Sequence, residues 1–137
     1  MIRKLDESMN DMLGYKISET LTGNERDNMM DEIELAAEDV GKLNFILELK
    51  SLDEEPRLLF DDLKFSTRFH HRFARMAGIG DPKWRDWFTK LAGVFFLTET
   101  HFFESSQRDT AIKWARGEIA TESLFHGDAV EAMRRDI

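Results

Sequence analysis

One third of the way along this chain, Leu43, Asn44, Phe45, Ile46, Leu47, Glu48 and Leu49 form an almost continuous apolar run. A strand that is hydrophobic on both faces must be covered on both, which is the situation of a sheet inside a layered α/β domain. Helical patterns bracket this run. Before it, Met29, Met30, Ile33, Ala36, Ala37 and Val40 recur on one face, while Glu25, Asp27, Asp31, Glu34, Glu38 and Asp39 point elsewhere. A helix is therefore expected from Thr22 or Asn24 to about Val40. Acids in its first turns suit the helix dipole, and Gly41 stops it.

The remaining elements follow the same alternation. Residues 2–7 and 11–19 read as strands separated by the turn formers Ser8, Asn10 and Asp11. Asp53, Glu54, Glu55 and Pro56 open a second helix that is expected to reach Phe73. Met76, Ala77, Gly78, Ile79 and Gly80 read as a short strand, and Asp81 with Pro82 as the cap and first position of a third helix. Residues 98–103 are a further strand. Ser105 or Ser106 then caps a fourth helix holding Ala111, Ile112, Trp114 and Ala115, with Ser106 and Asp109 at capping-box spacing and Gly117 as its stop.

Strands alternating with helices imply crossovers. The expected fold is α/β, a mixed and mostly parallel sheet of about five strands with about four helices, the first strand antiparallel at the edge. At 137 residues the chain suffices for one core. The expected domain is 1–117. Residues 118–137, with a weak amphipathic pattern through Leu124, Phe125, Val130 and Met133, would be an appended helix or a loose tail.

A net charge of −8 argues against nucleic acid as a partner, because phosphate binding needs a basic surface. With no cysteine, thiol nucleophiles, disulfides and iron–sulfur ligation are excluded, a composition compatible with a reducing cytoplasm. The amino terminus has no signal-peptide pattern, and no run approaches the roughly 20 apolar residues of a spanning helix. The expected location is cytoplasmic, either free or resting on the inner face of the membrane.

Inside this acidic protein, residues 58–97 are aromatic and basic. They hold seven of the eleven phenylalanines (Phe60, Phe65, Phe69, Phe73, Phe88, Phe95, Phe96) together with Trp84 and Trp87. From Lys64 to Lys90, seven basic residues face only Asp81 and Asp86. On the second helix, Leu58, Leu59, Leu63, Phe65, Phe69 and Phe73 share a wide face, with Asp62, Ser66 and His70 as a polar stripe within it. That face either packs on the sheet or lines a cavity whose polar stripe orients a ligand head. The third helix groups Trp84, Trp87, Phe88, Leu91, Val94 and Phe95, more large side chains than one helix needs to dock on a sheet. Core packing, a homodimer contact, and a ligand or membrane surface all remain open for it. Lys64, Arg68, Arg72, Lys83, Arg85 and Lys90 form the basic rim of either surface.

Other chemistry is poorly served. His70 and His71 are adjacent and diverge by about 100° on a helix, so a shared metal ion is not expected. The turn Gly78, Ile79, Gly80, Asp81 lacks the lysine and third glycine of phosphate-binding loops, and Asp81 would repel phosphate. No nucleophile elbow or convincing carboxylate pair appears, and neither a catalytic residue nor a cofactor is expected.

Asp61-Asp62-Leu63-Lys64-Phe65, Gly80-Asp81-Pro82-Lys83-Trp84 with Trp87, Thr89-Lys90-Leu91-Ala92, and Phe102-Phe103-Glu104 followed by Arg108-Asp109 and Ala111-Ile112-Lys113-Trp114 together resemble the SpoIIAA-like family. These are small bacterial proteins related to STAS domains and to the CRAL-TRIO lipid-binding fold, and the resemblance covers about residues 1–116. It implies a sheet with helices packed over it, no catalytic residues to carry over, and a role in binding hydrophobic ligands or membranes. One departure separates the chain from phospho-switched STAS relatives. Ser51 stands where their serine motif would lie, without a glycine partner and with Asp53, Glu54 and Glu55 just beyond, where another phosphate would be repelled.

The expected function is a non-enzymatic module that binds a hydrophobic small molecule or lipid through the second and third helices and associates peripherally with membranes. The alternative is a STAS-like protein-interaction module, homodimeric or not, without a serine switch.

Overall fold

The apolar run becomes the middle strand of a five-stranded sheet. The computed structural model describes residues 1–9, 11–52, 69, 71–93 and 98–124. Within them the strands are β1 (Ile2–Lys4), β2 (Met12–Glu19), β3 (Leu43–Leu52), β4 (Phe73–Gly80) and β5 (Glu99–Glu104). The helices are α1 (Gly23–Val40), α2 (Arg85–Ala92) and α3 (Arg108–Ala115), the last two entered through single 3-10 turns at Pro82–Trp84 and Ser105–Gln107. Spatial order repeats chain order. β1 runs antiparallel to β2, and every later neighbour is parallel.

That order dictates where the helices go. Parallel strands added stepwise in one direction, with right-handed crossovers, leave their connections on a single face. Accordingly Met29, Met30, Ile33 and Ala37 of α1 share one core layer with Trp87, Phe88 and Leu91 of α2, against Leu13, Tyr15, Ile17, Phe45, Leu47 and Leu49 of the sheet. The other face would be left bare, and the chain covers it after its last strand. Ala111, Ile112, Trp114 and Ala115 of α3 pack on Met12, Ile46, Ala77, Ile79 and Phe103. β3 feeds both layers, as its apolar run requires.

Local signals explain the boundaries. Thr22 Oγ1 accepts from the Glu25 amide at 3.2 Å while the Glu25 carboxylate accepts from the Thr22 amide at 3.3 Å, a reciprocal cap. The same carboxylate accepts from the Ile2 amide at 2.7 Å, tying the start of β1 to α1. Gly41 closes α1 at φ +84°, a conformation that suits glycine. Asp81 accepts from the Lys83 amide at 2.9 Å and, with Pro82, begins the path into α2.

Several boundaries differ from expectation. β1 ends at Lys4, because beyond the Leu5 amide bond to the Gly14 carbonyl (2.8 Å) the chain turns and Ser8 Oγ takes the Gly14 amide at 3.0 Å. β3 continues to Leu52 over a bulge in which Ser51 adopts φ +55°. Phe73 is the first residue of β4, not the end of a helix. It pairs with Leu43 and sets its ring 4.7 Å from that of Phe45, edge to face. Arg75 disguises this strand in the sequence, since a cation interrupts the apolar pattern. Its guanidinium donates to the carbonyls of Trp114 (2.6 Å) and Ile119 (3.1 Å) and lies over the Trp114 ring. The cap before α3 is Glu104 with Gln107, displacing the expected Ser106 and Asp109 pair.

Candidate functional site

The aromatic surplus expected of the third helix is, among the described residues, taken up by the core. Trp84, Trp87, Phe88 and Leu91 are all buried, as are Phe69 and Phe73. The reason lies in the opposing strand. A Cβ on Gly78 would stand 2.6 Å from the Phe88 ring, and a Cβ on Gly80 would meet the Leu49 carbonyl at 3.0 Å and Trp84 at 3.7 Å. The bare position at Gly78 makes room for the Phe88 ring of the helix above, while Gly80 lets its strand lie close against the Leu49 carbonyl. Leu59, Asp62, Leu63, Ser66, His70 and Phe95, with Lys64 and Arg68 of the rim, lie outside the described residues.

Of the expected rim, Arg72, Lys83, Arg85 and Lys90 are among the described residues. Lys83 and Lys90 are exposed, with the Lys83 ammonium 5.2 Å from the Trp84 ring centre, while Arg72 follows Phe69 in the approach to β4. Arg85 is different. Its guanidinium sits 5.1 Å above the Phe102 ring and reaches Glu104 only loosely, at 4.0 Å.

Beneath that guanidinium runs a groove of about 380 Å³ between α2 and β5. Phe88, Phe102 and Ala92 supply its apolar part, and the Phe88 and Phe102 rings are 5.7 Å apart. Arg85, Thr89 and Thr100 are its polar members. Thr89 donates to the Arg85 carbonyl at 2.8 Å, which leaves its hydroxyl oxygen as an acceptor. Gly93 and His101 complete the lining, the His101 ring being packed against Phe103 at 4.5 Å. Of the expected site residues, the structure brings Arg85 and Phe88 to this groove. Thr100 and Phe102 of β5 and Thr89 of α2 join them; nothing in sequence marks a residue of β5 as facing α2 until the strand order is known, and Thr89 carries no apolar signal of its own.

On the opposite face, an ionic cluster escaped the sequence reading altogether. Arg108 Nε donates to Glu48 at 2.9 Å, and its Nη2 donates to both Glu7 oxygens at 3.0 and 3.2 Å. Glu48 is buried in β3, so Arg108 braces α3 against the sheet and the β1–β2 turn. Burial alone would raise the Glu7 carboxyl, but hydrogen bonds from Arg108 and its own amide, with the charges of Arg108 and Arg116, hold it below its usual range. Tyr15 donates to Glu32, and burial followed by that acceptor pushes its hydroxyl far above its ordinary value. These groups are bound to one another in structural pairs, and none faces the groove. Among the described residues, no three histidines or carboxylates gather as metal ligands, and no helix is long and apolar enough to cross a membrane.

The SpoIIAA-like family profile matches residues 12–116. Among solved structures, an uncharacterised protein with a SpoIIAA-like fold from Shewanella loihica is similar over 83% of this chain and 93% of its own, at 26% identity and a TM-score of 0.60. No curated protein matches the chain.

Proposed function

The chain belongs to the SpoIIAA-like family, and from that premise we propose that it is a non-enzymatic binding module for a hydrophobic small molecule held between α2 and β5. The observation that carries this reading is the 380 Å³ groove floored by Phe88, Ala92 and Phe102. Its volume lies at the lower end of the roughly 300–1,000 Å³ range of ligand sites, and an apolar floor with a few polar groups is the usual composition of such sites. A lipid would enter with only part of its length. Contact with a membrane would be peripheral and would use the exposed Arg85 and Lys90 side of α2, because Trp84, Trp87 and Leu91 point into the core.

Native mass spectrometry of the purified protein, with flotation on phosphatidylglycerol vesicles, tests the proposal. Expected is a bound hydrophobic molecule that is absent from an Ala92→Trp variant in which the groove is filled. A protein that carries nothing, floats with no vesicle and shows no response to apolar probes removes the reading.

The position of β5 favours a second reading, a STAS-like interaction module. β5 is the last strand of the sheet, with β4 as its only described neighbour. An unpaired strand edge accepts a further strand from a partner or a second copy. Light scattering that finds a tight dimer, with groove amides unmoved by apolar probes, would select this reading over the first.

A further inference from the structure

Resting on the groove reading above, we infer that the ligand is an amphipathic carboxylate of about medium chain length, its head held by Arg85 and its tail lying along α2 toward Gly93. Charge gives the first argument. Arg85 is the cationic residue of the lining, and its guanidinium is centred over the ring of Phe102, which is itself part of the wall. A planar guanidinium at the mouth of an apolar groove is suited to a carboxylate through paired hydrogen bonds.

Availability gives the second. Among the described residues Arg85 forms its one ion pair with Glu104, at 4.0 Å, with both side chains about half exposed (48% and 47%). An exposed pair of that kind contributes little. Glu104 thus stands in for the ligand carboxylate, and exchanging one carboxylate for the other costs the protein little.

Dimensions give the third. From Arg85 to Gly93 the helix rises about 12 Å, at 1.5 Å per residue. At roughly 30 Å³ for each water-sized group, 380 Å³ accommodates about a dozen non-hydrogen atoms. A saturated acid of about ten carbons has that many. Phe88 and Ala92, one helical turn apart on the inner side of α2, would flank its methylenes, while Thr89 and Thr100 border the groove.

The test compares decanoate, decanol and decyltrimethylammonium below their micellar concentrations, read by calorimetry and by amide shifts of Arg85, Thr89, Ala92, Thr100 and Phe102. Decanoate is expected to bind about tenfold more tightly than decanol, the ammonium more weakly than either, with the largest shifts at those amides. Arg85→Gln is expected to bring decanoate down to about the affinity of decanol for the same variant, erasing the preference, and Arg85→Lys to restore part of it. Because Arg85 is a half-exposed residue, its replacement leaves the core intact, and circular dichroism of the variant checks this. Equal binding of decanoate and decanol at the groove, unaffected by Arg85→Gln, overturns the carboxylate inference and leaves the groove reading standing. No shift at the groove with any of the three overturns both.

Discussion

Replacing Gly78 by alanine tests why the aromatic helix is buried. A Cβ there would lie 2.6, 2.8 and 2.9 Å from Cδ2, Cε2 and Cγ of Phe88. Comfortable carbon contacts are about 3.5–4.0 Å, so the ring must retreat by roughly 1 Å. The atoms met include the ring's attachment point, so turning about χ2 does not relieve the clash, and α2 must lift or Phe88 must leave its rotamer. Overpacking of this kind costs about 1–3 kcal/mol, against which the lower chain entropy of alanine returns about 0.5–1 kcal/mol. The expected net loss is about 1–2 kcal/mol. Urea denaturation followed by tryptophan fluorescence should show the midpoint falling by about 0.5–1 M, given a slope of about 1–3 kcal/mol/M. On the Gly78→Ala background, Phe88→Leu should cost less than it does in the parent, because the smaller side chain vacates the space the new methyl needs. A Gly78→Ala protein as stable as the parent, or additive losses in the double variant, would refute the account of the glycine as the seat of the ring.

Other expectations can be checked on the same denaturation curves. Arg108→Met leaves the buried Glu48 carboxylate without its 2.9 Å partner and should cost about 2–3 kcal/mol, somewhat below the loss for a fully buried pair because Arg108 is partly exposed. Glu25 is held below its usual range first by the Ile2 amide, and Glu7 by Arg108 against the opposing effect of burial. Both carboxyls are depressed in the folded state, so their stabilisation is complete above the unfolded value near 4.5 and disappears as pH falls through the lower folded values. Glu7→Gln should accordingly flatten the acid limb of the stability curve while Arg108 remains. Tyr15 is raised, first by burial and then by Glu32. Its contribution is intact below about pH 10 and falls above it, a decline that Tyr15→Phe should abolish. Ser51→Gly should stabilise by about 0.5–1 kcal/mol, since the residue is exposed and sits at φ +55°; a loss would show that the serine hydroxyl matters there.

The fold was readable where one local signal sufficed. The two-faced run at β3, the Thr22 cap, Gly41 and the Asp81-Pro82 pair each name their own element, and the alternation of strands and helices named the sheet. Arg75 spoils the strand pattern around Phe73, and what makes that arginine acceptable lies far along the chain: the carbonyls of Trp114 and Ile119, about forty residues away, and the Glu99 carboxylate at 3.6 Å. The site was less legible for a related reason. Counting rings on α2 predicts an excess, but whether they are excess depends on what the strand below presents, and Gly78 and Gly80 present nothing. In sequence those glycines read as the end of a strand and a turn; in three dimensions Gly78 is a vacancy filled by Phe88 of the helix. The groove joins Arg85 to Thr100 and Phe102, and the ionic brace joins Glu7 to Arg108, across distances that periodicity does not span. SpoIIAA-like membership supplied the frame in which these separations make sense.

Arg75 has a bearing on how this scaffold is handled. One guanidinium fastens β4 to the end of α3 and to the carbonyl of Ile119, and the Trp114 indole donates to Thr121 at 3.0 Å. A fusion partner or protease site spliced in just after Gly117 would cut the ties to Ile119 and Thr121, leaving Arg75 only the Trp114 carbonyl and the Glu99 carboxylate at 3.6 Å. Joints for tags and tethers should therefore spare the segment from Gly117 to Thr121.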